Sequence, residues 1–208
     1  MNESQPDPAQ PEPGTVRPGG RTAKVREAVL RAAGDALAES GFDRLDLAEI
    51  ARRAGVGKTT VYRRWGSIPG LVADLLGEMA ADSLPRTETG SLLGDLTAQA
   101  RLVQSTLSDP RQGPLFKALI TAAGCDAQTS AALHRFYATR TAEWAPCVEA
   151  AIARGEIPEG TDPADVIRAV SAPLYYRFLV SGDPIDNDSA DRAARATVAA
   201  ARAGAFST

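Results

Sequence analysis

The chain has 208 residues, 24% of them charged and 44% hydrophobic, with a net charge of −3. A chain of this size buries a full core without metal or disulfide staples, and its slightly acidic balance excludes a globally basic, tail-type nucleic-acid binder. Two cysteines without CxxC spacing, Cys125 and Cys147, and one histidine, His134, argue against a zinc site, a disulfide scaffold or histidine-based catalysis. Alanine supplies 39 residues and aromatics only 5%, a composition that leans helical. Neither a resident metal nor a cofactor is expected. No apolar run reaches the roughly 18 residues of a membrane span, and MNESQPDPAQPEPG is neither a signal nor a transit peptide. A cytoplasmic protein without a membrane partner is expected.

In chain order, residues 1–20 hold five of the 14 prolines and little apolar bulk, so they are expected to form a disordered tail. Thr22 is a candidate cap for a first helix, on which Val25, Ala28, Val29, Ala32, Ala36 and Leu37 form one apolar face ending at Gly41. Asp46, with Glu49 three residues on, reads as an Asp capping box opening a short second helix that buries Leu47, Ile50, Ala51 and Ala54. Gly55 ends it. Gly57 opens a third helix, KTTVYRRW, with Val61 and Trp65 facing inward. Ser67 and Pro69 restart a helix that runs towards Leu84. After a break at Pro85–Gly90, helices are predicted near 91–108, 112–123, 127–154, 163–181 and 188–204. Pro146 and Pro173 fall inside these patterns, and each is expected to kink its helix or mark a local break. No strand pattern appears, so the expected class is all-α.

Helices as short as the second and third are unstable alone and must lean on the first, as in a helix-turn-helix. Ala51 is small at their crossing, Gly55 turns the chain, and Val61 plugs the angle between them. Residues 17–64 carry a net charge of +5, whereas 1–16 carry −3 and 65–208 carry −5. A single cationic module in an acidic chain is the footprint that nucleic-acid binding requires. A recognition helix reads bases from its N-terminal residues, here Lys58, Thr59 and Thr60. Lys donates to guanine edges, and the Thr methyl meets the thymine methyl. Tyr62, Arg63 and Arg64 follow, suited to phosphate or base contacts. Gly57-Lys58-Thr59 imitates the end of a phosphate-binding loop, but Arg52 stands where that loop needs its first glycine, and a capped helix precedes it instead of a strand.

The run LDLAEIARRAGVGKTTVYRRWGSIPGLVADLL resembles the DNA-binding domain of the TetR family of bacterial transcriptional regulators, over about residues 22–77. APLYYRFLVSGDPID, at 172–186, is similar to one C-terminal subgroup of that family. The resemblance implies an all-helical homodimer of about nine helices. It implies a palindromic double-stranded DNA operator, usually repressed, and a small-molecule effector pocket in the C-terminal domain. Matched to the family motif, Lys58, Thr59, Thr60, Tyr62, Arg63 and Arg64 take the DNA-contacting role. Asp46 stands where the family often has Ser or Thr, and is assigned to capping. Ile68 stands where it usually has Lys; losing that phosphate contact would flatten the salt slope by about 1 per half-site. Arg21 or Lys24 could compensate.

The expected domains are a tail at 1–20, a helix-turn-helix domain at 21–66 and a ligand-binding and dimerisation domain at 67–208. Leu102, Thr106, Phe116, Ile120, Trp144 and Tyr175 are the candidates for lining an effector pocket; a largely apolar effector would fit them. The two cysteines are expected to be small buried or partly buried hydrophobes, and His134 to lie at the surface or core edge. The last two helices, with Ala193, Ala196 and Ala200, are the expected dimer surface. Within DNA binding, an activator or a nucleoid-type binder is the alternative to a repressor. An enzyme is not expected, because paired functional groups are missing, and a pure scaffold leaves the cationic module unexplained.

Overall fold

A computed structural model describes residues 20–82 and 88–207, without the side chain of Arg21. Residues 1–19 of the expected 1–20 tail, the Leu84 helix end and most of the Pro85–Gly90 break lie outside the described residues, as does any side-chain role of Arg21; Gly20 belongs to the first helix. The described residues form nine α-helices and no strand. These are α1 (Gly20–Ser40), α2 (Leu47–Arg53), α3 (Lys58–Trp65), α4 (Ile68–Ala81), α5 (Leu92–Ser108), α6 (Gln112–Ala123), α7 (Ala127–Ala153), α8 (Pro163–Tyr176) and α9 (Asn187–Arg202). One 3₁₀ turn, Phe42–Arg44, joins α1 to α2.

The head is built as the spacing predicts. Val29, Ala33 and Leu37 of α1 close on Leu47, Ile50 and Ala51 of α2 and on Val61 and Trp65 of α3, all buried. α4 then leaves the head, with Ser67 capping its first turn through the Gly70 N–H, and runs along α7. α5 packs against α9, and α8 lies against both α7 and α9. Behind α9 the chain folds back: the Asp162 N–H donates to the Phe206 carbonyl at 2.8 Å.

Several local expectations need correction. α1 is already helical at Gly20, so Thr22 is an ordinary first-turn residue and not a cap. Asp46 does cap α2, accepting from the Ala48 N–H at 3.1 Å. Glu49 does not turn back to complete a capping box. Its carboxylate is taken by Arg52 (2.7 Å) and Arg53 (3.0 Å), two guanidiniums three and four residues on. Cys147 is buried, but Cys125 is exposed, because it falls in the turn just after Gly124, the C-cap of α6. α7 continues through Pro146 and α8 through Pro173. Neither proline therefore breaks its helix, and four residues after Pro173, Arg177–Ser181 form a π-type turn closed by the Gly182 N–H on the Arg177 carbonyl. Ala193 is buried within its own subunit, on the α9 face that packs inward, whereas Ala196 is exposed and Ala200 half-buried.

Candidate nucleic-acid interface and interhelical cavity

The α2–α3 crossing is held by backbone as much as by side chains. Gly55 has φ +64°, the left-handed region that costs a side-chain-bearing residue about 1 kcal/mol or more. The Val56 N–H reaches back to the Ala51 carbonyl at 2.9 Å, pulling the turn tight. Gly57 then caps α3 in an extended conformation. With Val61 and Trp65 buried, the other side of α3 faces out. Lys58, Thr59, Tyr62, Arg63 and Arg64 are exposed and Thr60 is half-buried. Lys58 Nζ sits 5.6 Å from the Tyr62 ring centroid, so the cation and the ring share one patch.

Ion pairing divides the cations of the head. Arg26 pairs with Asp74 and Glu78, Arg31 with Glu27, Arg52 with Glu49, and Arg53 with Glu39 and Glu49. The Arg52 and Arg53 guanidiniums hold the Glu49 carboxyl down at about 2. Among the described residues, Lys58 and Arg63 have no carboxylate partner. The arginines of α1 and α2 whose side chains are described are therefore paired within the protein, whereas Lys58 and Arg63 of α3, like exposed Lys24 of α1, have no carboxylate partner among the described residues.

Trp65 ties this helix to the next. Its indole N–H donates to Asp74 Oδ2 at 2.8 Å, and Arg26 forks onto the same carboxylate at 2.8–3.3 Å. Burial pushes the Asp74 carboxyl up, but the Arg26 guanidinium and the Trp65 indole outweigh it and keep the group below its ordinary range. Residues of α1, α3 and α4 thus meet on one carboxylate. Sequence reasoning missed this network, since Arg26 and Asp74 lie 48 positions apart. Ile68, at the start of α4, is half-buried against the core.

At the far end of α4 lies a cavity of about 1040 Å³ between α4, α5, α6, α7 and α8. Leu102, Thr106, Phe116, Ile120, Trp144 and Tyr175 all face it. Phe116, Phe136, Tyr137 and Tyr175 form a chain of tilted and edge-on rings with centroids 5.2–5.7 Å apart. The sequence did not single out Gln99 or Arg140, which also line the cavity. Gln99 had a signal: it interrupts the apolar α5 stripe of Leu92, Leu96, Val103 and Leu107. Arg140 lies over the Phe136 ring at 5.3 Å and pairs with Glu143 at 2.7 Å. Its guanidinium also donates to the carbonyl oxygens of Met79 and Asp82, at the last turn and C-cap of α4. His134 is exposed at the cavity margin.

A tight helix-turn-helix with a cationic outer face, joined to a helical body with an apolar cavity, defines a DNA-binding regulator. Residues 29–75 match the model of bacterial regulatory proteins of the tetR family, and residues 86–197 match the tetracyclin repressor-like C-terminal domain. The chain is 34% identical to the helix-turn-helix-type transcriptional regulator YdeS of Bacillus subtilis, over 79% of this chain and 83% of that one. It is 29% identical to the regulator AqdR of Rhodococcus erythropolis, with 84% of each covered. The crystal structure of the TetR family transcription regulator SCO0332 is 29% identical and superposes with a TM-score of 0.68, over 85% of this chain and 97% of that one. The chain belongs to the TetR family: it is a helix-turn-helix transcriptional regulator. Its relatives are regulators of transcription and not enzymes. Among the described residues no helix is long and apolar enough to cross a membrane.

Proposed function

We propose that the protein is a homodimeric repressor that holds a palindromic operator through α3 and is released when a small, largely apolar effector enters the cavity. The observation that carries the proposal is the double attachment of α4. Asp74 in its middle receives the Trp65 indole of α3, and the carbonyls at its C-terminal end receive the cavity-lining Arg140. A ligand that displaces Arg140 therefore acts on the helix that sets the position of α3. Lys58, Thr59 and Thr60 are assigned to base edges, and Tyr62, Arg63 and Arg64 to phosphates or bases. Arg21 is kept as a further phosphate contact, supported by sequence alone. Residues 21–66 act as the reading head and 67–208 as the ligand-binding and dimerisation part. The protein works in the cytoplasm, where its operator is.

One eight-residue helix reads too few base pairs, which is why a dimer is needed. Exposed Tyr176 (60%) at the end of α8, with Leu179 (38%) and Val180 (67%) in the turn that follows it, offers an apolar surface for the partner. The half-sites should lie about 34–36 Å apart, or a multiple of that. The effector must favour the form that does not bind DNA. A coupling of about 1–3 kcal/mol weakens operator binding roughly 5- to 150-fold. Footprinting on the DNA flanking the gene is the test. Two protected half-sites related by symmetry are expected, and diffuse coating without a boundary would refute the operator assignment.

A further inference from the structure

The polar groups of the cavity are few, and their hydrogen-bonding capacity is not used up within the chain. Gln99 is 5% exposed, and its Oε1 is buried without a donor among the described residues. A buried acceptor left without a donor is costly, so a molecule that supplies one recovers that cost on binding. Gln99 lines the cavity and its carboxamide turns about a soft terminal torsion, so a bound donor can draw Oε1 to itself by side-chain rotation without backbone change. Opposite this acceptor in character stands the Tyr137–Tyr175 pair. The two hydroxyls are 3.1 Å apart and share one hydrogen bond, which uses one of their two protons. The second proton has no acceptor among the described residues. Burial raises both phenols well above their ordinary values, so both stay protonated donors.

The cations on the wall are already satisfied. Arg140 is paired with Glu143 and with two carbonyls, and Arg168 is paired with Asp165 at 2.5 Å. A ligand carboxylate would have to displace a resident one. The remaining wall is mostly aliphatic and aromatic; the Thr106 and Ser171 hydroxyls on it donate to the Leu102 and Ile167 carbonyls of their own helices, and Asp82, Gln112, His134 and Thr141 are its other polar residues.

We infer that the ligand of this cavity is a neutral, mostly apolar molecule bearing an O–H or N–H donor for Gln99 Oε1 and an acceptor oxygen or nitrogen for the tyrosine pair. A lipophilic phenol or alcohol satisfies both with one group or two. The inference rests on the effector reading of the cavity given above and sharpens it to a ligand class.

The test uses three probes of one shape: 4-hexylphenol, its methyl ether 4-hexylanisole, and 4-hexylbenzoate. Each is titrated calorimetrically into the full-length wild type and into Gln99→Met. The wild type should bind the phenol about tenfold tighter than the ether, the worth of one recovered buried hydrogen bond, and the benzoate weakest. In Gln99→Met the phenol and the ether should bind alike, with ether affinity retained as the sign of an intact cavity. Equal affinities in the wild type, a phenol preference that survives Gln99→Met, or tightest binding of the benzoate would each overturn the inference. If none of the three binds, both the inference and the cavity reading fall. A phenol preference with unchanged operator affinity upholds the ligand class and refutes only the effector reading.

Discussion

Around α3 the chain buries the apolar side chains of its inner face and leaves its charge outside. Ile50 and Val61 have no exposure, while Lys58 and Arg63 face outward without a carboxylate partner among the described residues. Between α5 and α8 the arrangement is inverted. Apolar side chains such as Leu102 and Ile120 stop short of one another and leave about 1040 Å³ between them, and the arginines there are paired. The contrast shows where each half keeps its unused interaction energy. In the head it is unneutralised charge available to a polyanion, and in the body it is unfilled apolar surface available to a small molecule.

The contrast can be broken first at the packing level. Ile50→Ala in the filled head should cost about 2–5 kcal/mol in urea unfolding, because the deletion leaves a void. Ile120→Ala, whose side chain already borders open space, should cost only about 1 kcal/mol. Equal losses would mean that the cavity wall is as tightly packed as the head.

The link between the two halves gives the next effect. Arg140→Gln removes the guanidinium that grips the Met79 and Asp82 carbonyls. Ligand should then lose most of its roughly 5- to 150-fold hold over operator affinity, while affinity without ligand changes little. Full ligand response in this variant, read by fluorescence anisotropy, would place the coupling elsewhere.

Smaller still is the loss expected at the Trp65–Asp74 bond. Trp65→Phe removes one partly buried hydrogen bond and should cost about 1 kcal/mol. The same carboxylate sets an acid limb. Its folded value lies below its unfolded one, so its contribution is present above the unfolded value near 4 and fades as pH falls through the lower folded value. Asp74→Asn should flatten stability against pH in that acidic window, and an unchanged profile would remove Asp74 as the cause.

The head was legible because its instructions are local. Ala51, Gly55 and Val61 fall within a dozen positions, and the cap at Asp46 sits next to the helix it starts. Glu49 was misassigned because two neighbouring arginines compete for the same carboxylate, and a spacing rule cannot rank competitors. The cavity was legible only as a set of bulky side chains on predicted helices. Arg140 was invisible, because its partners lie 58 and 61 positions away and are backbone carbonyls that no residue type announces. Ala193 and Ala196 show the same limit on one helix: a stripe of small residues does not say which side the subunit itself covers.

The assignment of α3 as the surface that meets DNA is tested most directly by the salt dependence of operator affinity in two charge-removing variants. Lys58→Ala/Arg63→Ala strips the unpaired cations of α3, and Lys117→Ala strips an exposed cation from α6. With two cations lost from each of two subunits, the slope of log affinity against log salt should shrink by about 3–4 in the first variant, with affinity falling at least about tenfold. Lys117→Ala should bind as the wild type does. Equal slopes in all three proteins would contradict the assignment.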